Sequence, residues 1–213
     1  MSIVSNVVEG VMKGYMSSYS LEGSILTSIL GEIKNGILHD RMDEWKKSVE
    51  NKLEMLRDIQ LDQLSKNQVF ANVLFISGQL ALKTNKQKIK LLANAVGNTA
   101  TTDLREERIV ILLNCIEKYT ISHLRMLFFC QNPRKFISEE PYMGSPITYY
   151  HKCFPENNSD LDRIINRDLY LDGMIDTESL SVTVTGKGCL EKRTTALGDD
   201  MISFFGIEMD NIT

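Results

Sequence analysis

Gln68–Cys130 reads QVFANVLFISGQLALKTNKQKIKLLANAVGNTATTDLREERIVILLNCIEKYTISHLRMLFFC, and the spacing of its apolar side chains decides the fold class. Val69, Val73, Ile76 and Leu80 recur at three- and four-residue steps, with Phe70 and Leu74 beside them, which places them on one face of a helix. Thr84-Asn85 interrupts the pattern. Ile89, Leu92 and Val96 then carry a second helix, and Gly97-Asn98 marks its expected end, because both residues tolerate the left-handed conformation. Thr102 or Asp103 caps a third helix, with Glu106 and Glu107 favoured in its first turn by the helix dipole and Ile109, Leu112, Leu113 and Ile116 as its buried stripe. Thr120 caps a fourth helix with Ile121, Leu124, Leu127 and Phe128. Joints this short make consecutive helices neighbours in space.

Toward the N-terminus the same period continues. Residues 3–16 form an amphipathic helix with Val4, Val8, Val11 and Tyr15 on one face. Gly10 and Gly14 are spaced for close helix packing, but Glu9 and Lys13 argue against a membrane-spanning pair. The expected role of that face is contact with the core, with a second copy or with a protein partner. A second helix carries Ile25, Ile29, Leu30 and Ile33 and ends at Asn35-Gly36. A long charged helix runs from His39 to about Ile59, with Met42, Trp45, Val49, Leu53 and Leu56 as its stripe.

Beyond Cys130 the pattern changes. All four prolines, at 133, 141, 146 and 155, fall between Gln131 and Ser159 among Gly, Asn and Tyr. This predicts an irregular connector with one short helix near Ile147–Cys153, packed by Phe136, Tyr142, Tyr149, Tyr150 and Phe154. Ser159 then caps a helix with Leu161, Ile164, Ile165, Leu169 and Leu171 as its apolar positions and Gly173 as its stop. Ser181–Thr185 alternates as a β-strand, Gly186-Lys187-Gly188 reads as a turn, and Leu190–Thr195 as the return strand of a hairpin. A short helix, Met201–Ile207, follows.

With 213 residues, 43% of them hydrophobic, the chain is long enough for a sizeable core in one large domain or two small ones. The net charge of -4 is unevenly shared: residues 1–100 hold 12 basic and 10 acidic side chains, residues 101–213 hold 12 and 18. A strongly basic nucleic-acid surface is therefore absent on average, though a local patch is compatible with these numbers. No apolar run reaches the roughly 18 residues of a membrane span, and no secretory leader pattern is present. Four cysteines without CxxC spacing point to reduced thiols in a cytosolic protein.

Candidate reactive groups are few. Gly186-Lys187-Gly188 lacks the GxxxxGK[ST] spacing of a phosphate loop. His151-x-Cys153 offers two metal ligands where zinc needs about four. His123 suits a helix cap, and His39 a helix start. Asp160, Asp162, Asp168, Asp172 and Asp176 lack calcium-loop spacing and read as a solvated face. No acid, base and nucleophile grouping can be assembled, so a non-enzymatic protein without metal or cofactor is expected.

Two resemblances add to this reading. The pieces YTISHLRMLFFC, DLDRIINRDLYLDGMI, SVTVTGKGCLEKRTT and TALGDDMISFF, over about 119–206, are similar in order and pattern to the first helix, recognition helix, wing and closing helix of the multiple-antibiotic-resistance-type winged-helix regulators. That likeness implies DNA contacts from Arg163 and Arg167 on the recognition helix and from Lys187, Lys192 and Arg193 in the wing. The pieces GSILTSILGEI, HDRMDEWKKSVENKLEML, LKTNKQKIKLLANAV, ISHLRML and TALGDDMISFF resemble a group of all-helical bacterial proteins of unknown function. Some of that group look like members of stress or phage-defence gene sets, which is what the resemblance implies here.

The expected architecture is mainly α: a helical bundle over 1–118, then a winged-helix-like part over 119–213 with one small β-hairpin and a Pro-rich connector at 131–158. The expected function is protein interaction or regulation in the cytoplasm, through a protein partner or a homo-oligomer formed by Val4, Val8, Val11 and Tyr15. Transcription regulation through DNA and membrane action through the N-terminal helices are the alternatives.

Overall fold

The computed structural model describes residues 37–54, 64, 66–137, 140–155 and 159–212. The chain is mainly helical. It divides into two compact units, Met1–Glu117 with Phe204–Gly206, and Lys118–Ser203 with Ile207–Thr213.

In the first unit α1 (Ile37–Leu53), α2 (Gln68–Lys83) and α3 (Lys86–Thr99) pack on one another, and α4 (Glu106–Lys118) follows. The turns are set by Asn side chains. Asn67 Oδ1 accepts from the Val69 and Phe70 amides, and Asn85 Oδ1 accepts from the Lys88 amide, each satisfying helix-start donors that have no partner within the helix. Trp45, Val49 and Leu53 of α1, Phe70, Val73 and Leu74 of α2, Ile89, Leu92 and Val96 of α3, and Ile109, Leu112 and Ile116 of α4 are buried.

Two details differ from expectation. The buried face of α2 is turned toward Phe70, Leu74 and Ser77, leaving Val69 and Ile76 half-buried. A polar residue is tolerated there because Trp45 Nε1–H donates to Ser77 Oγ (2.7 Å) and the Ser77 hydroxyl donates to the Leu92 carbonyl (3.2 Å), a relay that ties α1, α2 and α3. Gly97 and Asn98 do not end α3, which runs on to Thr99. The Asn94 and Asn98 side-chain amides instead donate to the carbonyls of Phe205 and Phe204.

The second unit is built around α5 (Ile121–Gln131), whose Leu124, Met126, Leu127, Phe129 and Cys130 are buried. A 3-10 turn (Pro133–Lys135), α6 (Pro146–Cys153), α7 (Ser159–Leu171), α8 (Gly186–Cys189), α9 (Ala196–Phe205) and α10 (Met209–Ile212) follow. The connector is packed by its own rings. Phe136 lies 5.8 Å from Phe128 and 5.7 Å from both Phe129 and Phe154, and Tyr150 lies 5.3 Å from Phe129 and 5.0 Å from Phe154, ring centroid to ring centroid. Tyr142, expected in this cluster, is exposed.

The expected hairpin is not formed. Val184 bridges Gly144 and Thr194 bridges Ile175, so the two alternating segments reach different parts of the chain rather than each other. Between them the expected turn, Gly186–Cys189, is the short helix α8, and Thr185 Oγ1 caps it by accepting from the Gly188 amide. The backbone at Gly186 passes so close to the Pro141 carbonyl that a Cβ would sit 1.9 Å from its oxygen. That approach demands glycine for space, not for turn geometry. The helix expected at Met201–Ile207, α9, begins earlier, at Ala196, because Thr195 Oγ1 accepts from the Leu197 and Gly198 amides.

Candidate functional site

Helix α7 gathers the candidate groups, and both of its sides are mixed: two polar residues lie on the buried side and several apolar ones on the exposed side. Asp162, Ile165, Asn166 and Leu169, spaced i, i+3, i+4 and i+7, face the interior of the second unit. Two of these four are polar. Asn166 accounts for itself by closing the following loop: its Nδ2 donates to the carbonyls of Thr177 (3.3 Å) and Glu178 (2.8 Å), and its Oδ1 accepts from the Leu180 amide (3.0 Å). Asp162, only 1% exposed, meets His151 Nε2 at 2.7 Å. Among the described residues its second oxygen, Oδ1, has no hydrogen-bond partner.

The expectation of a solvated acidic face is corrected in part: Asp160 and Asp176 are exposed, but Asp162 and Asp168 meet histidines. Thr120 and His123 form a reciprocal cap at the start of α5. The Thr120 amide donates to His123 Nδ1 (3.2 Å), so the proton sits on Nε2, which faces Asp168 Oδ2 at 3.4 Å. Lys118 Nζ lies 3.7 Å from Asp168 and 2.9 Å from Asp172, which also accepts from the Tyr119 hydroxyl at 2.9 Å. The Tyr119 and His123 rings stack at 5.0 Å. This network pins the start of α5 to the end of α7.

The exposed side of α7 carries apolar residues beside Asp160, Arg163 and Arg167. Leu161 is 47% exposed, Ile164 55% and Leu171 66%, with Tyr170 also exposed. The sequence reading placed Leu161, Ile164 and Leu171 in the apolar stripe with Ile165 and Leu169; only the last two are buried. The signal available was that apolar residues on α7 span more than one face, which a single stripe does not account for.

Of the residues expected to contact DNA, Arg163 and Arg167 are exposed on this outward side, one helical turn apart, and Lys187 is exposed on α8. Lys192 is exposed but pairs with Asp199. Arg193 is not available as a wing contact. It is 7% exposed, and its guanidinium donates to the Glu191 carbonyl at 2.6 Å and to the Gly188 carbonyl, tying down the loop that carries it. Val4, Val8, Val11 and Tyr15 lie outside the described residues. So do the helices over 3–16 and 23–33 on which membrane action would depend.

The remaining chemistry is spare. Burial pushes the Cys130 thiol up to about 12, an effect the nearby Arg193 guanidinium only partly opposes, so the thiol is protonated. His39 lies in the first turn of α1. Among the described residues no three His, Cys, Asp or Glu side chains are grouped to hold a metal ion, and no helix is long and apolar enough to cross a membrane. No protein family model, curated protein or solved structure matches this chain.

Proposed function

We propose that the chain is a non-enzymatic interaction module whose contact surface is the outward side of α7. The observation that carries this reading is the apolar strip on the exposed side of that helix: Leu161, Ile164 and Leu171 are solvent-exposed while Asp162 and Asn166 are buried. A helix that turns apolar residues outward from its own core carries a surface that gains free energy when a partner covers it. Arg163 and Arg167 flank the stripe with Asp160 exposed beside them, while Asp162 and Asp168 are engaged by His151 and His123. Charge complementarity then favours an acidic, amphipathic protein segment, docked with its apolar side on Ile164 and Leu171. The test is a photo-crosslinker placed at position 164 of the full chain in its native cell, with position 43 on α1 as control. A discrete protein adduct at 164 alone is expected, and it should disappear with Leu171→Glu. Equal labelling from both positions refutes the assignment, and an adduct of two copies of this chain replaces the acidic partner with a homo-oligomer.

A second reading, DNA binding by a winged-helix-like part with α7 as the reading helix, is favoured by the exposed Arg163, Arg167 and Lys187. Its support is narrower, since Lys192 and Arg193 are engaged within the protein. Gel shifts at low salt should then weaken with Arg163→Ala/Arg167→Ala, and absence of binding at low salt removes the reading.

A further inference from the structure

We propose that Lys88 is a reactive amine site that condenses with small, neutral carbonyl compounds in the cavity it lines within the first unit. The cavity has a volume of about 60 Å3, with Leu80, Leu92 and Ile116 as apolar lining and Lys83, Thr84 and Glu117 as polar lining. Lys88, on α3, is 9% exposed, and its Nζ donates to the carbonyls of Ile116 (2.8 Å) and Glu117 (3.4 Å) at the end of α4. Those two bonds fix the amine against one wall. Its stem is packed rather than snorkelling to solvent, an unusual state for a lysine.

Three physical features select the chemistry. Burial lowers the pKa of the Lys88 ammonium from its usual value, and the Glu117 carboxylate offsets only part of that, so a larger share of the amine is neutral and nucleophilic than on a surface lysine. A cavity of about 60 Å3 holds roughly four water-sized centres, which suits a molecule of three or four heavy atoms. The carbonyls of Ile116 and Glu117 form the negative end of α4: they oppose an anion at Nζ and favour a product that keeps a cationic N–H, and they also limit how far burial lowers the ammonium pKa. That last point disfavours carboxylates, phosphates and the carbamate that carbon dioxide would give.

An aldehyde satisfies all three. The amine lone pair attacks the carbonyl carbon and the new C–N bond forms as the C=O π pair moves to oxygen. An amine proton passes to that oxygen through solvent, giving the carbinolamine. Loss of the hydroxyl as water, with one further solvent proton, leaves the protonated imine, so amine, aldehyde and one proton become iminium and water. The iminium keeps an N–H to donate to the Ile116 carbonyl, and its positive charge lies against the helix end that stabilises it.

The test uses the full chain in dilute acetaldehyde with cyanoborohydride near neutral pH, followed by peptide mass spectrometry. Lys88 should be ethylated several-fold faster than the exposed Lys86 and Lys90 on the same helix. With benzaldehyde, too large for the cavity, that preference should vanish while Lys86 and Lys90 still react. Ethylation of Lys88 no faster than that of Lys86 and Lys90 overturns the proposal, as does a preference for Lys88 that survives with benzaldehyde.

Discussion

Ser77→Ala should cost the first unit about 2 kcal/mol. Both Trp45 and Ser77 are 0% exposed, so the indole N–H that donates to Ser77 Oγ at 2.7 Å has no route to water when the hydroxyl is removed. A stranded buried donor costs about 1–3 kcal/mol. The bond lost to the Leu92 carbonyl adds little to this, because a carbonyl within a helix keeps its backbone partner. The void left by one oxygen atom is small. Trp45 is the only tryptophan in the chain, so its fluorescence during urea unfolding reports on this unit directly. A double-mutant cycle with Trp45→Phe, followed by circular dichroism, isolates the pair: without the donor, Ser77→Ala should cost about 1 kcal/mol less. A loss below about 0.5 kcal/mol for the single variant, or strict additivity in the cycle, would refute the relay as a stabilising element.

Three further outcomes follow from the second unit. Gly173, at φ 72°, closes α7 with its amide donating to the Tyr170 carbonyl and the Met174 amide to that of Leu169; Gly173→Ala should lower stability by about 1 kcal/mol in thermal melts, through backbone strain alone since a Cβ there meets nothing. Burial opposes ionisation of Asp199, but hydrogen bonds from Lys192 and Thr194 outweigh it and hold the carboxyl below its usual range. Its contribution is therefore present above the unfolded carboxylate pKa and is lost as pH falls through the lower folded value; Asp199→Asn should flatten the acid limb of a stability–pH curve, and an unchanged limb contradicts this. Cys130 should resist iodoacetamide in the native protein at mildly alkaline pH and react after denaturation, and early native alkylation at that position would show that its burial is incomplete.

The regular helices were legible because their cues are local. Thr120 announces a helix start by side-chain chemistry that does not depend on the rest of the chain, and Gly173 announces a stop for the same reason, while the caps at Asn67 and Asn85, equally local, went unread. What the sequence concealed depends on distant partners. Ser181–Thr185 alternates as a strand should, but whether β-branched residues form a ladder depends on a neighbour, and their backbone was already committed to Gly144. Ser77 on a buried face looks like an interruption until Trp45 is placed against it. The outward apolar side of α7 was hidden because hydrophobicity says which residues prefer burial, not which of two such faces the chain itself will cover. Lys88 gave no signal, since its surroundings come from three separate helices.

The loops of the second unit are held by side-chain pegs and isolated backbone bridges, not by sheet: the Asp176 amide donates to the Arg193 carbonyl and the Thr195 amide to that of Met174. Asn166 grips 177–180, Arg193 grips the turn at 188–191, and Thr195 donates to the Gly173 carbonyl (2.6 Å). Loops secured at isolated pegs come loose one at a time, each by an opening that exposes little new surface. Amide exchange there should thus fall into small groups rather than one cooperative block, with 174–176 and 193–195 exchanging together, and removing Asn166 should release 177–180 while leaving that pair shut.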